Sequence, residues 1–121
     1  MDAAIESALA TDRTIDITTI GRKSGESRRI EIWFHRVDDR YYITGSPGRR
    51  AWYANLLANP AFTFHLKGSL TADLPATAAP IIDAAAKQAV FAKIPWISDR
   101  VEPEELGKWL SNSPLVEVHF T

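Results

Sequence analysis

Six cationic side chains fall in two short stretches, Arg22, Lys23, Arg28 and Arg29 in the first, Arg49 and Arg50 in the second. The first stretch opens with Thr18-Thr19-Ile20-Gly21-Arg22-Lys23-Ser24-Gly25, a β-branched run that ends in a basic turn between two glycines. Guanidinium forks and lysine point charges both match phosphate and carboxylate oxygens. Turns of this kind also leave backbone N–H groups free to meet an anion. Arg49 and Arg50 begin a predicted helix, where cations oppose the macrodipole at a cost of about a few tenths of a kcal/mol. A nearby anion would offset that cost. The paired turns therefore point to a phosphate-bearing ligand, with a solvated basic rim as the plainer alternative.

The remaining chemistry is defined mostly by what is missing. There is no cysteine, which excludes disulfides, thiol catalysis and thiolate metal sites. His35, His65 and His119 each lie in an alternating strand without a partner at ligand spacing, so no metal site is expected. Ser24, Ser27 and Ser46 sit in turns, but none lies in a G-x-S-x-G elbow. Asp38-Asp39 reads as a turn, and Glu104-Glu105 as the start of a helix. Trp33 shares a mixed strand face with Glu31 and His35, and Trp52 begins the helix after the second turn; both could stack on a flat ring. Trp96 and Trp109 are expected in the core. Without a nucleophile or an acid–base pair of its own, an enzyme of this sequence needs a cofactor to supply the chemistry.

The chain has 121 residues, a length that suits one domain over 1–121. Its formal net charge of -1 argues against a nucleic-acid partner. It contains no apolar run long enough to span a bilayer and no charged-then-apolar leader, so a cytoplasmic location is the expectation.

Patterning places these residues on elements. Met1–Ala10 reads as a short amphipathic helix and Thr14–Ile20 as a strand. Ser27–Val37 alternates as one strand, with Arg28, Ile30, Ile32, Phe34 and Arg36 on one face. A hairpin at Asp38-Asp39 returns through Arg40–Thr44. Arg49–Ala58 is a helix stopped by Asn59-Pro60. Ala61–Lys67, Ser69–Leu74 and Leu115–Phe120 complete six strands. Pro75–Lys93 is expected as an alanine-rich helix with Pro80 in its first turn, Ile94–Val101 as a loop and Pro103–Leu110 as a short helix. Strands joined by hairpins, with helices inserted rather than alternating, predict a mainly β (α+β) fold, an antiparallel barrel with short flanking helices. Phe62, Phe64, Leu115, Val116 and Val118 offer more apolar β surface than a small barrel hides, which suggests a homodimer.

Four motifs taken together, Thr18–Arg28 (TTIGRKSGESR), Trp33 on the next strand, Thr44–Gly48 (TGSPG) and Trp52–Pro60 (WYANLLANP), resemble the deazaflavin-dependent nitroreductase family. That family belongs to the split β-barrel flavin and deazaflavin oxidoreductases. The resemblance is strong over Thr14–Lys67 and extends to the C-terminal third only in layout. It implies coenzyme F-420 in a groove of a six-stranded split β-barrel, with FMN as the alternative cofactor. Arg22, Lys23, Ser24 and Arg28 would hold the phosphate and acidic tail. Thr44, Gly45 and Ser46 would approach the ring, with Trp52 and Asn55 on the helix beside it. The implied reaction passes a hydride from reduced deazaflavin to a small electron-poor acceptor, a quinone, nitroaromatic or activated alkene. Three departures stand out. Trp33 replaces a frequent tyrosine, Pro47 replaces a frequent lysine and leaves Arg49 or Arg50 to supply the charge, and the C-terminal tyrosines are absent. Trp33 and Ser46 are the catalytic candidates, with no proton donor assigned.

Overall fold

A computed structural model describes the whole chain, residues 1–121. Helix α1 (Ala3–Thr11) is capped by Asp2, whose carboxylate accepts from the Ala4 N–H at 2.7 Å. The elements that follow are β1 (Thr14–Ile20), β2 (Ser27–Trp33), β3 (His35–Val37), β4 (Arg40–Thr44), α2 (Ala51–Ala58), β5 (Ala61–Lys67) and β6 (Thr71–Pro80). The chain continues through α3 (Ala84–Phe91), α4 (Pro95–Ser98), a 3-10 turn (Pro103–Glu105), α5 (Leu106–Asn112) and β7 (Leu115–Phe120). Neither α1 nor any other helix is long and apolar enough to cross a membrane.

All strand pairs are antiparallel, and the sheet order is β2-β1-β5-β6-β7-β4-β3. β2 and β3 lie at opposite edges yet are joined through the single residue Phe34, so the sheet must curl until its edges meet. This corrects the expected unbroken strand over Ser27–Val37 and raises the strand count from six to seven. The break has a visible cause. The Phe34 N–H donates to Arg13 O at 2.9 Å, and its ring turns into the barrel, edge-on to Phe64 with centroids 5.2 Å apart. Parity is lost there, so His35 becomes buried while Glu31 and Trp33 stay exposed. At the following turn, Asp38 and Asp39 both take positive φ, as a two-residue hairpin demands.

Inside the barrel Ile15, Ile17, Ile43, Phe64, Leu66 and Val116 are fully buried, and Leu9 of α1 and Trp52 and Leu56 of α2 pack against them. Phe62, Phe64, Leu115, Val116 and Val118 are therefore interior residues of this chain and leave no spare apolar face. A second apolar cluster joins Val37, Tyr42 and Leu115 to Val90, Phe91, Ile94 and Ile97, so α3 and α4 cover the outer face of β3, β4 and β7. The outer face of β1, β2 and β5 is polar. Asp16 pairs with Arg29 (3.0 Å) and Lys67 (2.6 Å). His65 Nδ1–H donates to Asp73 (2.7 Å) while its Nε2 accepts from the Thr18 hydroxyl (2.6 Å), the only tautomer a carboxylate acceptor permits.

The alanine-rich segment departs most from expectation. β6 runs on to Pro80, with Ala76 and Ala78 buried in the barrel, and only Ala84–Phe91 is helical, capped by Asp83. Small alanines suit a crowded barrel wall, a tertiary demand that overrides their helix propensity. Residues 94–101 hold a short helix instead of a plain loop, and the last helix runs to Asn112 after a 3-10 start.

Candidate functional site

The Gly21–Glu26 turn links β1 to β2 and is closed by two backbone bonds, Gly21 N–H to Glu26 O (2.8 Å) and Gly25 N–H to Gly21 O (3.0 Å). Gly25 takes φ +71°, a conformation that favours glycine. The N–H groups of Lys23 and Ser24 make no hydrogen bond within the chain, which leaves two donors on a cationic turn. Asn55 of α2 fixes this turn from behind. Buried to 5% exposure, it accepts from the Arg22 N–H (3.2 Å) and Arg22 Nη1 (3.4 Å), and its Nδ2 donates to Thr19 Oγ1 (3.3 Å). One side chain thus ties helix, strand and turn together, and α2 itself is held by Trp52 and Leu56 in the core.

An open cleft of ≈ 330 Å³ lies between this turn and α2, lined by Arg22, Lys23, Ser24, Arg28, Trp52 and Asn55 with Ile30 at its side. Six of the residues expected to bind a ligand therefore meet in one place. Arg22 and Lys23 have no carboxylate partner, whereas Arg28 reaches Glu26 at 3.5 Å across solvent. Arg29 points the other way, to Asp16. Trp52 is 8% exposed, edge-on to Tyr53 at 5.9 Å, and presents only a rim to the cleft.

The second turn is held by an arginine used as a clasp. Arg50 donates from Nη2 to both Ser46 O and Ser46 Oγ (3.1 Å each) and from Nη1 to Arg49 O (3.0 Å). Gly48 N–H bonds Asn112 O (3.1 Å), and the buried Thr44 hydroxyl donates to Pro114 O (2.6 Å). Thr44 and Arg50 are thereby committed to internal partners. Gly45 lies beside the Arg50 guanidinium, and neither it nor Ser46 lines the first cleft.

Arg49 opens instead onto a larger cleft of ≈ 880 Å³, on the other side of the α2 N-terminus, with Tyr53, Lys87, Lys108 and residues 110–114. Lys87 is 5% exposed, and its Nζ donates to Ser113 O at 2.7 Å. Burial lowers its affinity for the proton. Burial likewise raises the pKa of the Tyr53 phenol, which therefore stays neutral. Nothing in the residue pattern marks Lys87. A lysine in an alanine-rich run reads as the solvent side of a helix, and no spacing rule marks it as the buried one.

Trp33 joins neither cleft. It is 46% exposed at the far end of β2, six residues and about 20 Å from Ser27, with the Arg13 guanidinium 5.1 Å over its ring. His35 accepts from Trp96 Nε1 (3.2 Å), and burial, assisted by the Arg13 charge, lowers its pKa to about 4. No group of three or more histidine or acidic side chains is placed to hold a metal.

A family profile described as F420H2-dependent quinone reductase matches residues 2–98. Among solved structures, one titled F420 reductase is 19% identical with a TM-score of 0.68, the match covering 96% of this chain and 92% of that one. An F420-H2-dependent reductase (FDR-A) is 23% identical with a TM-score of 0.59, covering 89% and 95% respectively. A conserved hypothetical protein of Mycobacterium tuberculosis is 17% identical with a TM-score of 0.71, covering 97% and 79%. A search of curated proteins returns no match. At these identities the solved structures establish the fold, a split β-barrel.

Proposed function

This chain belongs to the F420H2-dependent quinone reductase family and is an oxidoreductase using coenzyme F-420, and on that premise we propose that it reduces a small electron-poor acceptor, a quinone, nitroaromatic or activated alkene. One observation carries the assignment of the site. Two cations without carboxylate partners sit on a turn with two unused N–H donors, and a buried asparagine holds that turn against a cleft. The donor set fits a phosphate and an acidic tail, because it combines guanidinium, ammonium and main-chain N–H groups. When bound, the deazaflavin supplies the hydride; the protein supplies the rest.

In this reading Arg22, Lys23, Ser24 and Arg28 hold the anionic part of the coenzyme. Asn55 positions Arg22, and the rim of Trp52 bounds the cleft wall. Gly45 and Ser46, kept in place by the Arg50 clasp, approach the ring. Orientation of this kind is what a protein contributes when the reagent is borne by a cofactor. Residues 1–121 act as one domain. We assign a homodimer on the strength of β2, an edge strand carrying exposed Ile30 and Trp33, and no longer on residues buried within the chain.

Titration with reduced and oxidised coenzyme, followed by tryptophan fluorescence, tests the assignment. Saturable quenching at about micromolar levels is expected; no binding at those levels overturns it. In sedimentation, a strictly monomeric species at working concentration overturns the dimer.

A further inference from the structure

The second cleft has the construction of a further ligand site. Arg49, Lys87 and Lys108 line it, no carboxylate does, and none of the three pairs with a carboxylate anywhere in the chain. In a chain of net charge -1 this is a local concentration of positive charge. At its floor, Lys87 is nearly inaccessible, and of its three ammonium protons one has an acceptor, Ser113 O. The hydroxyl of that same Ser113 is buried with no hydrogen-bond partner, the one side-chain polar atom in the protein so placed. An unpaired buried charge next to an unsatisfied hydroxyl is unfavourable in an empty protein and favourable beneath an anion. Burial lowers the proton affinity of Lys87, and no carboxylate there offsets it.

The position of the cleft says what kind of ligand it serves. α2 separates the two clefts: Ala51, Trp52 and Asn55 face the first, while Arg49 and Tyr53 face the second. Ile82 and Leu110 add apolar wall, suited to a ring. Granting the function proposed above, in which the first cleft is taken by the anionic part of the coenzyme, we infer that the second cleft binds the electron acceptor, an aromatic carbonyl compound bearing a carboxylate or another acidic substituent. Lys87 and Lys108 grip the acidic group, and Arg49 guards the entrance.

Anthraquinone-2-sulfonate and the uncharged 2-(hydroxymethyl)anthraquinone form a matched pair of probes, read by calorimetry on the full chain with and without oxidised coenzyme. The sulfonate is expected to bind about tenfold tighter than the alcohol, with or without coenzyme. Lys108→Gln, at an exposed position that should not affect folding, is expected to remove about half of that preference on a logarithmic scale, and Lys87→Met most of it. Both variants should keep wild-type affinity for the coenzyme. Equal affinity of the two probes for the wild-type chain overturns the inference. So does competition between coenzyme and sulfonate, or weakened coenzyme binding in the variants, since either places the coenzyme's acidic tail in this cleft. A wild-type chain that takes the sulfonate but no coenzyme breaks the function proposed above instead, so the two failures are distinguishable.

Discussion

The two clefts beside α2 are both basic, but they acquire their charge differently. In the first, Arg22, Lys23 and Arg28 come from one continuous stretch and remain in water, and a single buried side chain, Asn55, sets the direction of Arg22. In the second, Arg49, Lys87 and Lys108 come from three separate segments, and tertiary packing strips one of them of solvent. A hydrated cation attracts anions broadly and weakly, because water and salt screen it. A desolvated one discriminates, because leaving it unpaired is costly. The first cleft thus has the character of a general grip on a multiply charged ligand, and the second that of a selective contact.

The strongest way to break this comparison is to remove the pin of the first cleft. Asn55→Leu leaves the Arg22 N–H and Thr19 Oγ1 without partners and should cost about 2 kcal/mol of stability in urea unfolding. The same substitution should weaken coenzyme binding about thirtyfold, since Arg22 loses its orientation. If it bound coenzyme like wild type, direction by Asn55 would play no part.

Arg22→Gln and Lys23→Gln come next. Each should weaken the coenzyme about tenfold at low salt, and the difference from wild type should shrink as salt is raised. Salt should change the sulfonate preference of the second cleft less, because Lys87 is shielded.

A smaller effect concerns burial itself. His35, buried against Trp96, has its pKa lowered to about 4 from 6.5. The unfolded chain therefore binds the proton more readily than the folded one between those values. The contribution to stability is complete above about pH 6.5 and is lost as pH falls towards 4, with about 2 kcal/mol of it gone by about pH 5. His35→Gln, which keeps an acceptor for Trp96, should flatten that part of the stability profile. Acid denaturation identical in wild type and variant would show that folding does not lower the proton affinity of this imidazole.

The smallest expected change is at the clasp. Arg50→Lys keeps the charge but not the fork that holds Ser46, and should alter coenzyme affinity by only about twofold.

Much of the architecture could be read from residue patterns alone. β1, β4, β5 and β7 have the bounds that alternation predicts, and Asp38-Asp39 makes the expected turn. What failed did so where a long-range contact overrode a local preference. Alternation runs straight through Phe34, but closing the barrel requires the chain to change edges there. Alanine-rich residues 75–80 favour a helix by propensity and are strand because the barrel wall admits only small side chains.

The sequence by itself determined the Gly21–Gly25 turn and its chemistry, because the glycines, the cations and the strand feeding them are consecutive, and local geometry depends on neighbours in the chain. It also excluded thiol chemistry, since the chain has no cysteine. Only the tertiary structure decided which cations keep their water. Asn55 became a pin, Arg50 a clasp and Lys87 a buried charge through contacts with residues far away in sequence, and desolvation depends on everything packed around a group rather than on its own type.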